Sequence, residues 1–203
     1  MYAIVENNQI TQYINYPKSV VIGDVRYPAK IFQLWSQSEL NAIGIYEVVV
    51  DKTNYKDPEY YINTDSSYSF ANGQVTESWG TATPKRLNDE NAVDEDGNNI
   101  LDEDGNQVIN YGLKTEKKRI VKEQASNLLA KHDWQVVKAT EVSDYSVPSE
   151  VTTYRANVRT KSNEMETSID NCTTVDQLKA LYEYTEDDDG NITRPLAEFP
   201  EEI

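Results

Sequence analysis

The chain has 203 residues, 19 basic and 35 acidic, for a net charge of −16. Only 38% of residues are hydrophobic, but 14 Tyr and 3 Trp supply the aromatic surface that small β-rich cores and wet interfaces use. This balance argues against a general nucleic-acid binder, which needs a basic face, and no run reaches the roughly 18–20 apolar residues of a transmembrane helix.

The length suits one medium domain or two small ones. The pattern predicts an α+β chain: a small antiparallel β-rich N-terminal domain (1–83), an acidic hairpin or linker (84–112) and a helical C-terminal region (113–203). Tyr2-Ala3-Ile4-Val5 and Ile10 to Ile14 flank Glu6-Asn7-Asn8-Gln9, a polar turn of hairpin length. Val20-Val21-Ile22 meets Val25-Arg26-Tyr27 across Gly23-Asp24, a second hairpin. Ser36 with Glu39 is a capping box for a short helix that buries Leu40 and Ile43. Gly44 ends that helix, and Ile45 to Val50 is a strand. Tyr68 and Phe70 alternate with serines, Asn72-Gly73 is the strongest hairpin signal, and Gln74 to Trp79 is the returning strand. Tyr55, Tyr60, Tyr61, Tyr68 and Trp79 are expected at the surface.

Asp94-Glu95-Asp96-Gly97-Asn98 recurs as Asp102-Glu103-Asp104-Gly105-Asn106. Asp94, Asp96 and Asn98 match the first three ligand positions of an EF-hand loop. The match then fails, because Asn99 replaces the sixth-position Gly and Gly105 replaces the twelfth-position Glu. Turn chemistry is the better reading, with Ile100-Leu101 and Val108-Ile109 as strand fragments.

From Lys114 to Lys131 the apolar period becomes helical, with Ile120, Val121, Gln124, Ala125, Leu128 and Leu129 on one face. Lys117, Lys118, Arg119 and Lys122 form a basic cluster on the remaining, solvated surface. His132 is expected at the helix C-terminus, and Trp134 to Val137 is too short to classify. Pro148 opens another helix, whose seam is Val151, Tyr154, Val158, Met165 and Ile169, interrupted by Lys161. Thr174 and Gln177 cap a last helix burying Val175, Leu178 and Leu181, and an acidic tail follows Tyr184.

Few residues point to chemistry. One Cys, Cys172, permits no internal disulfide, and one His, His132, leaves little room for triad or multi-His metal chemistry. No phosphate-binding glycine loop, zinc-protease or serine-hydrolase motif occurs. Catalytic and metal-ligating residues are therefore not assigned, and no cofactor is implied. The N-terminus lacks the basic and apolar regions of a signal peptide, so the two Asn-x-Thr sequons at Asn171 and Asn191 are expected to be incidental.

Two segments carry a family resemblance. Tyr2-Ala3-Ile4-Val5-Glu6-Asn7 through Tyr27-Pro28-Ala29, then Phe32 to Ser36 and Leu40 to Tyr46, resembles the N-terminal module of tailed-bacteriophage tail-fibre-associated and tail-structural proteins. Leu128-Leu129-Ala130-Lys131-His132-Asp133-Trp134, with Tyr154-Arg155-Ala156-Asn157-Val158-Arg159, is similar to the C-terminal region of phage tail assembly chaperones and tail-fibre assembly proteins. The acidic repeat and the extended tail depart from that pattern. The resemblance implies a non-enzymatic structural or adaptor protein of the tail, baseplate or tail-fibre attachment. It would be made in the host cytoplasm and carried in the virion, multimeric in the assembled tail, with other tail or tail-fibre proteins as partners. No nucleic acid or membrane insertion is expected. The alternative is an assembly chaperone absent from the mature particle; an envelope hydrolase would need convergent carboxylates in a cleft.

Tyr and Trp are favoured at interface hot spots. The candidate docking residues are Trp35, Tyr46 and Trp79 in the β half and Trp134, Tyr154 and Arg155 in the helical half. For Trp35 and Tyr46, core packing is the stronger expectation. Arg155 and Arg159 share one helix face and have acids of this same chain as alternative partners.

Overall fold

Strand β1 (Tyr2–Glu6) turns into β2 (Gln9–Ile14) through Asn7 and Asn8, both at positive φ. Asn tolerates that region better than other side chains, and two such residues in succession give the twist of a two-residue hairpin. A second hairpin joins β3 (Val20–Ile22) to β4 (Val25–Tyr27). Helix α1 (Ile31–Leu34), unmarked in the sequence, leads to α2 (Gln37–Ala42). At α2 the Ser36 hydroxyl accepts from the Glu39 N–H, and the Glu39 carboxylate accepts from the Ser36 N–H at 2.7 Å. There follow β5 (Ile45–Asp51), β6 (Tyr61–Ile62), β7 (Ser66–Ala71), β8 (Gln74–Trp79) and β9 (Thr83–Pro84). The structure is a computed structural model describing residues 1–186 and 188–203; Asp187, within the acidic tail, lies outside the described residues. The chain is α+β and divides into two compact units, Met1–Thr83 and Pro84–Ile203.

The first unit is built on a sheet of order β2-β1-β5-β8-β7. It is not wholly antiparallel as expected: β5 and β8 run parallel, Val48 opposite Val75 through Asp51 opposite Ser78. The chain between them is long enough for the crossover a parallel pair requires. The two ends of the strand order approach each other, with the Tyr13 and Tyr68 rings 4.8 Å apart, so the sheet is curled. Alternation along β1 and β5 divides the core by face. Ile4, Ile14, Ile45 and Leu40 pack on one side with Val20 and Ile31. Ala3, Val5, Val48 and Val75 pack on the other. Gly44 (φ +84°) joins α2 to β5, and its carbonyl accepts the Val5 N–H at 2.8 Å. A Cβ at this position would lie 2.7 Å from the Val5 carbonyl oxygen.

Not all the surface aromatics are where the sequence suggests. Tyr60 and Tyr61 are 3% and 4% exposed, because the chain turns back at Asp57, whose carbonyl accepts both their N–H groups. Tyr55 is exposed, and Tyr68 and Trp79 are half-buried.

In the second unit, β10 (Glu90–Asn91) pairs with β11 (Ile109–Asn110). Between them the two acidic repeats form matching turns. Asp94 Oδ1 accepts the N–H groups of Asp96 and Asn98, and Asp102 Oδ1 accepts those of Asp104 and Asn106. The eight-residue spacing closes a ring of backbone bonds: Ala92 N–H to Val108 O, Val108 N–H to Ile100 O, and Ile100 N–H to Ala92 O, at 2.8, 2.9 and 2.9 Å. Helices α3 (Leu113–Ala130), α4 (Asp133–Glu141), α5 (Ser149–Asp170) and α6 (Val175–Ala180) follow. Then come β12 (Thr185–Glu186) and β13 (Ile192–Thr193), which pair. The Thr174–Gln177 capping box opens α6.

The buried line of α3 is Lys117, Val121 and Ala125, while Ile120 is exposed. The expected face is thus rotated, and the basic cluster is not simply solvated. Lys117 is 7% exposed, its Nζ 4.4 Å above the Tyr182 ring. Lys118 pairs with Asp170 at 2.7 Å and Lys122 with Glu166 at 3.3 Å. Lys114 Nζ donates to the Asp170 carbonyl, where a cation suits the helix C-terminus. These contacts set α3 antiparallel to α5, whose buried seam is Val151, Tyr154, Val158, Ser162, Met165 and Ile169. Among the described residues no helix is long and apolar enough to cross a membrane.

Candidate functional site

The ends of α3 and α5 that lie away from the Lys118–Asp170 pair hold a short helix against solvent. The chain leaves α3 at Lys131, and His132 adopts φ −113°, ψ 5°, breaking the helix. Asp133 then opens α4, where a negative charge suits the helix N-terminus. His132 is therefore a junction residue rather than the last residue of α3. Its Nδ1 lies 3.0 Å from Gln135 Oε1, and its ring meets the Tyr154 ring at 5.4 Å, edge to face.

Arg155, on α5, ties the junction together. Its Nη1 donates to the Leu129 carbonyl at 2.5 Å, and its Nη2 meets Asp133 Oδ1 at 2.7 Å. One planar guanidinium thus joins the last turn of α3 to the first of α4, a use of its fixed fork that an ammonium cannot reproduce. The Arg155 side chain is 11% exposed, so this pair is shielded more than an ordinary surface ion pair.

Helix α4 itself has nine residues and none buried. Trp134 is 59% exposed, and Val136, Val137 and Val142 are exposed as well. Trp134 and Val137 are three residues apart and so share a face. Lys138 Nζ lies 4.4 Å from the Tyr145 ring centre and 6.0 Å from that of Trp134, a cation laid beside two aromatic rings.

The other sequence-selected residues fall elsewhere. Tyr154 is 4% exposed and belongs to the core with Ala125 and Val158; its hydroxyl has no hydrogen-bond partner among the described residues. Trp35 packs edge-on against Tyr27 at 5.9 Å, and Tyr46 lies 4.8 Å from Phe70; both border core clusters. Trp79 meets Tyr55 edge to face at 5.1 Å, and its carbonyl accepts the Asn54 side-chain amide. Of the six, Tyr154 and Arg155 meet the α3–α4 junction through His132 and Asp133, Trp134 follows next in the chain, and Trp134 alone is strongly exposed. The sequence placed Leu129 and Asp133 in one of the two family-like segments and allowed acids of this chain as partners of Arg155, but nothing in it paired these groups with Arg155.

Cys172 is buried, donates to the Ser168 carbonyl at 3.4 Å, and burial pushes its thiol up, away from the reactive thiolate. Among the described residues no group of three or more His, Cys, Asp or Glu is placed to hold a metal ion. No protein-family model, curated protein or solved structure matches the chain.

Proposed function

We propose that this chain is a structural or adaptor protein of a bacteriophage tail, working by docking other tail or tail-fibre proteins rather than by catalysis. The observation that supports this reading is α4. An apolar stripe on a helix is normally turned toward a core. Here the stripe is left in water, on a helix whose first turn is fixed by the Arg155–Asp133 pair. A large, rigid aromatic such as Trp134 contributes much contact area at little entropic cost. The order of the two phage-like segments, an N-terminal β module and then the Asp133-Trp134 and Tyr154-Arg155 elements, supports the same reading.

Quantitative mass spectrometry of particles purified from the phage that carries this gene tests it. The expected result is recovery at a fixed small multiple set by tail symmetry, with Trp134→Ala incorporated several-fold less. Presence in the infected-cell lysate but absence from particles replaces the adaptor reading with that of an assembly chaperone. Incorporation unaffected by Trp134→Ala removes α4 as the docking element.

A further inference from the structure

We propose that the groove between α3 and α5 binds an acidic peptide segment of a partner protein through its side-chain carboxylates. The groove is an open cleft of about 490 Å³ with Ala125 and Leu129 at its base, and its polar lining includes Lys122, Ser126, Asp133, Arg155, Arg159 and Asn163. That volume is within the range of specific ligand sites.

The charges in this groove do not cancel. Asp133 is matched by Arg155, and Lys122 by Glu166. Arg159 donates from Nη1 to the Arg155 carbonyl at 3.3 Å and pairs with no carboxylate among the described residues. It is exposed, so its guanidinium retains N–H donors for a ligand. Arg155 spends two donor groups on Leu129 and Asp133 and keeps the rest. The Ser126 hydroxyl and the Asn163 side-chain amide line the same wall without a hydrogen bond to the described residues. A wall this rich in donors with one surplus positive charge calls for a ligand that is anionic and rich in acceptors, and carboxylates fit the guanidinium fork.

Spacing favours an extended segment over a single small anion. Arg155 and Arg159 are one helical turn apart, which puts their Cβ atoms about 5–6 Å from each other. Same-side side chains of an extended peptide recur every ~6.6 Å, two residues of roughly 3.3 Å each, so a carboxylate on Arg159 brings the next same-side acceptor beside the N–H donors that Arg155 has left. The rest of the chain sharpens the selection. With a net charge of −16, its surface repels acidic segments from most other places. This inference stands on the groove alone and does not depend on the tail reading.

The test is titration of the whole protein with N-acetylated hexaglutamate amide, followed through the Arg Nε–H and Asn side-chain NMR signals. The expected result is a saturable shift of the Arg159 and Asn163 signals. Arg159→Glu should weaken binding by about tenfold or more, while Arg86→Glu, an equal charge change beside the start of α3, should leave it within about twofold. Three results overturn the proposal. One is a non-saturable shift. Another is equal weakening by both variants, which marks general charge attraction only. The third is inorganic phosphate, at matched ionic strength, binding as tightly as the peptide, which marks a small-anion site. An unchanged backbone spectrum for Arg159→Glu separates lost binding from lost folding.

Discussion

Arg155 carries more of the second unit than its polarity suggests. Removing it takes the cation from the Asp133 carboxylate and one donor from the Leu129 carbonyl, which keeps the His132 N–H at 3.1 Å. Arg155→Ala should therefore destabilise the unit by about 1 kcal/mol, read as a lower urea midpoint. Arg155→Lys should restore little, because an ammonium lacks the planar fork that meets both acceptors. Trp134→Ala, one residue beyond Asp133 but in water, should change stability by no more than about 0.5 kcal/mol. The contrast separates the residue that holds α4 from the one proposed to dock through it. The sequence showed Arg155 and Arg159 on one face and allowed for acids of the same chain as partners. It could not show which acid, since Asp133 and Arg155 come from different helices.

Helix α3 shows why some elements are legible and others are not. The boxes at Ser36–Glu39 and Thr174–Gln177 span three residues, so the residue types announce the contact. The N-terminus of α3 has no such local signal. Its cap residue, Gly112, donates to Asp89 Oδ1 at 2.8 Å, from 23 residues earlier, and Thr115 Oγ1 donates to Asp89 Oδ2. Leu113 and Lys114 donate to the carbonyls of Arg86 and Leu87. Segment 86–89 thereby satisfies N–H groups that every helix leaves open at its start. The approach is close: a Cβ on Gly112 would lie 2.5 Å from the Asn88 carbonyl. Gly112→Ala should cost about 2 kcal/mol or more, seen as a lower midpoint of the helical circular-dichroism transition. Asp89→Ala should weaken the same junction. Periodicity likewise marked β5 and β8 as strands but not their parallel pairing, because alternation reads the same in either direction.

Over the whole molecule, two electrostatic effects oppose each other with pH. Among the described residues, five carboxyls sit below their ordinary range because N–H or hydroxyl donors stabilise the anion. These are Glu39 with the Ser36 N–H, Asp51 with the Thr53 hydroxyl, Asp89 with the Gly112 N–H, Asp94 with the Asn98 N–H and Asp102 with the Asn106 N–H. In the unfolded chain these groups regain ordinary values of about 3.9–4.3. The unfolded state then binds more protons as pH falls, so their stabilisation is present above that range and is lost as pH drops through the folded values. Net charge works the other way: acidification toward the sequence pI near 4.4 relieves self-repulsion. Urea midpoints should hold or rise from pH 7 to about 5 and fall below about 4. A double variant, Asp94→Asn with Asp102→Asn, should flatten the acid limb.

The ring formed by Ala92, Ile100 and Val108 also bears on how this region can change length. In a stacked-repeat protein, one more repeat adds one more rung and every neighbour keeps its contacts. Here each of three chain crossings donates to one of the others, and the last bond returns to the first crossing. Inserting or deleting eight residues therefore does not lengthen or shorten a ladder; it opens a loop that was closed. The number of acidic units is fixed by closure, so length variation in this segment should accumulate within the turns and leave the count of crossings at three.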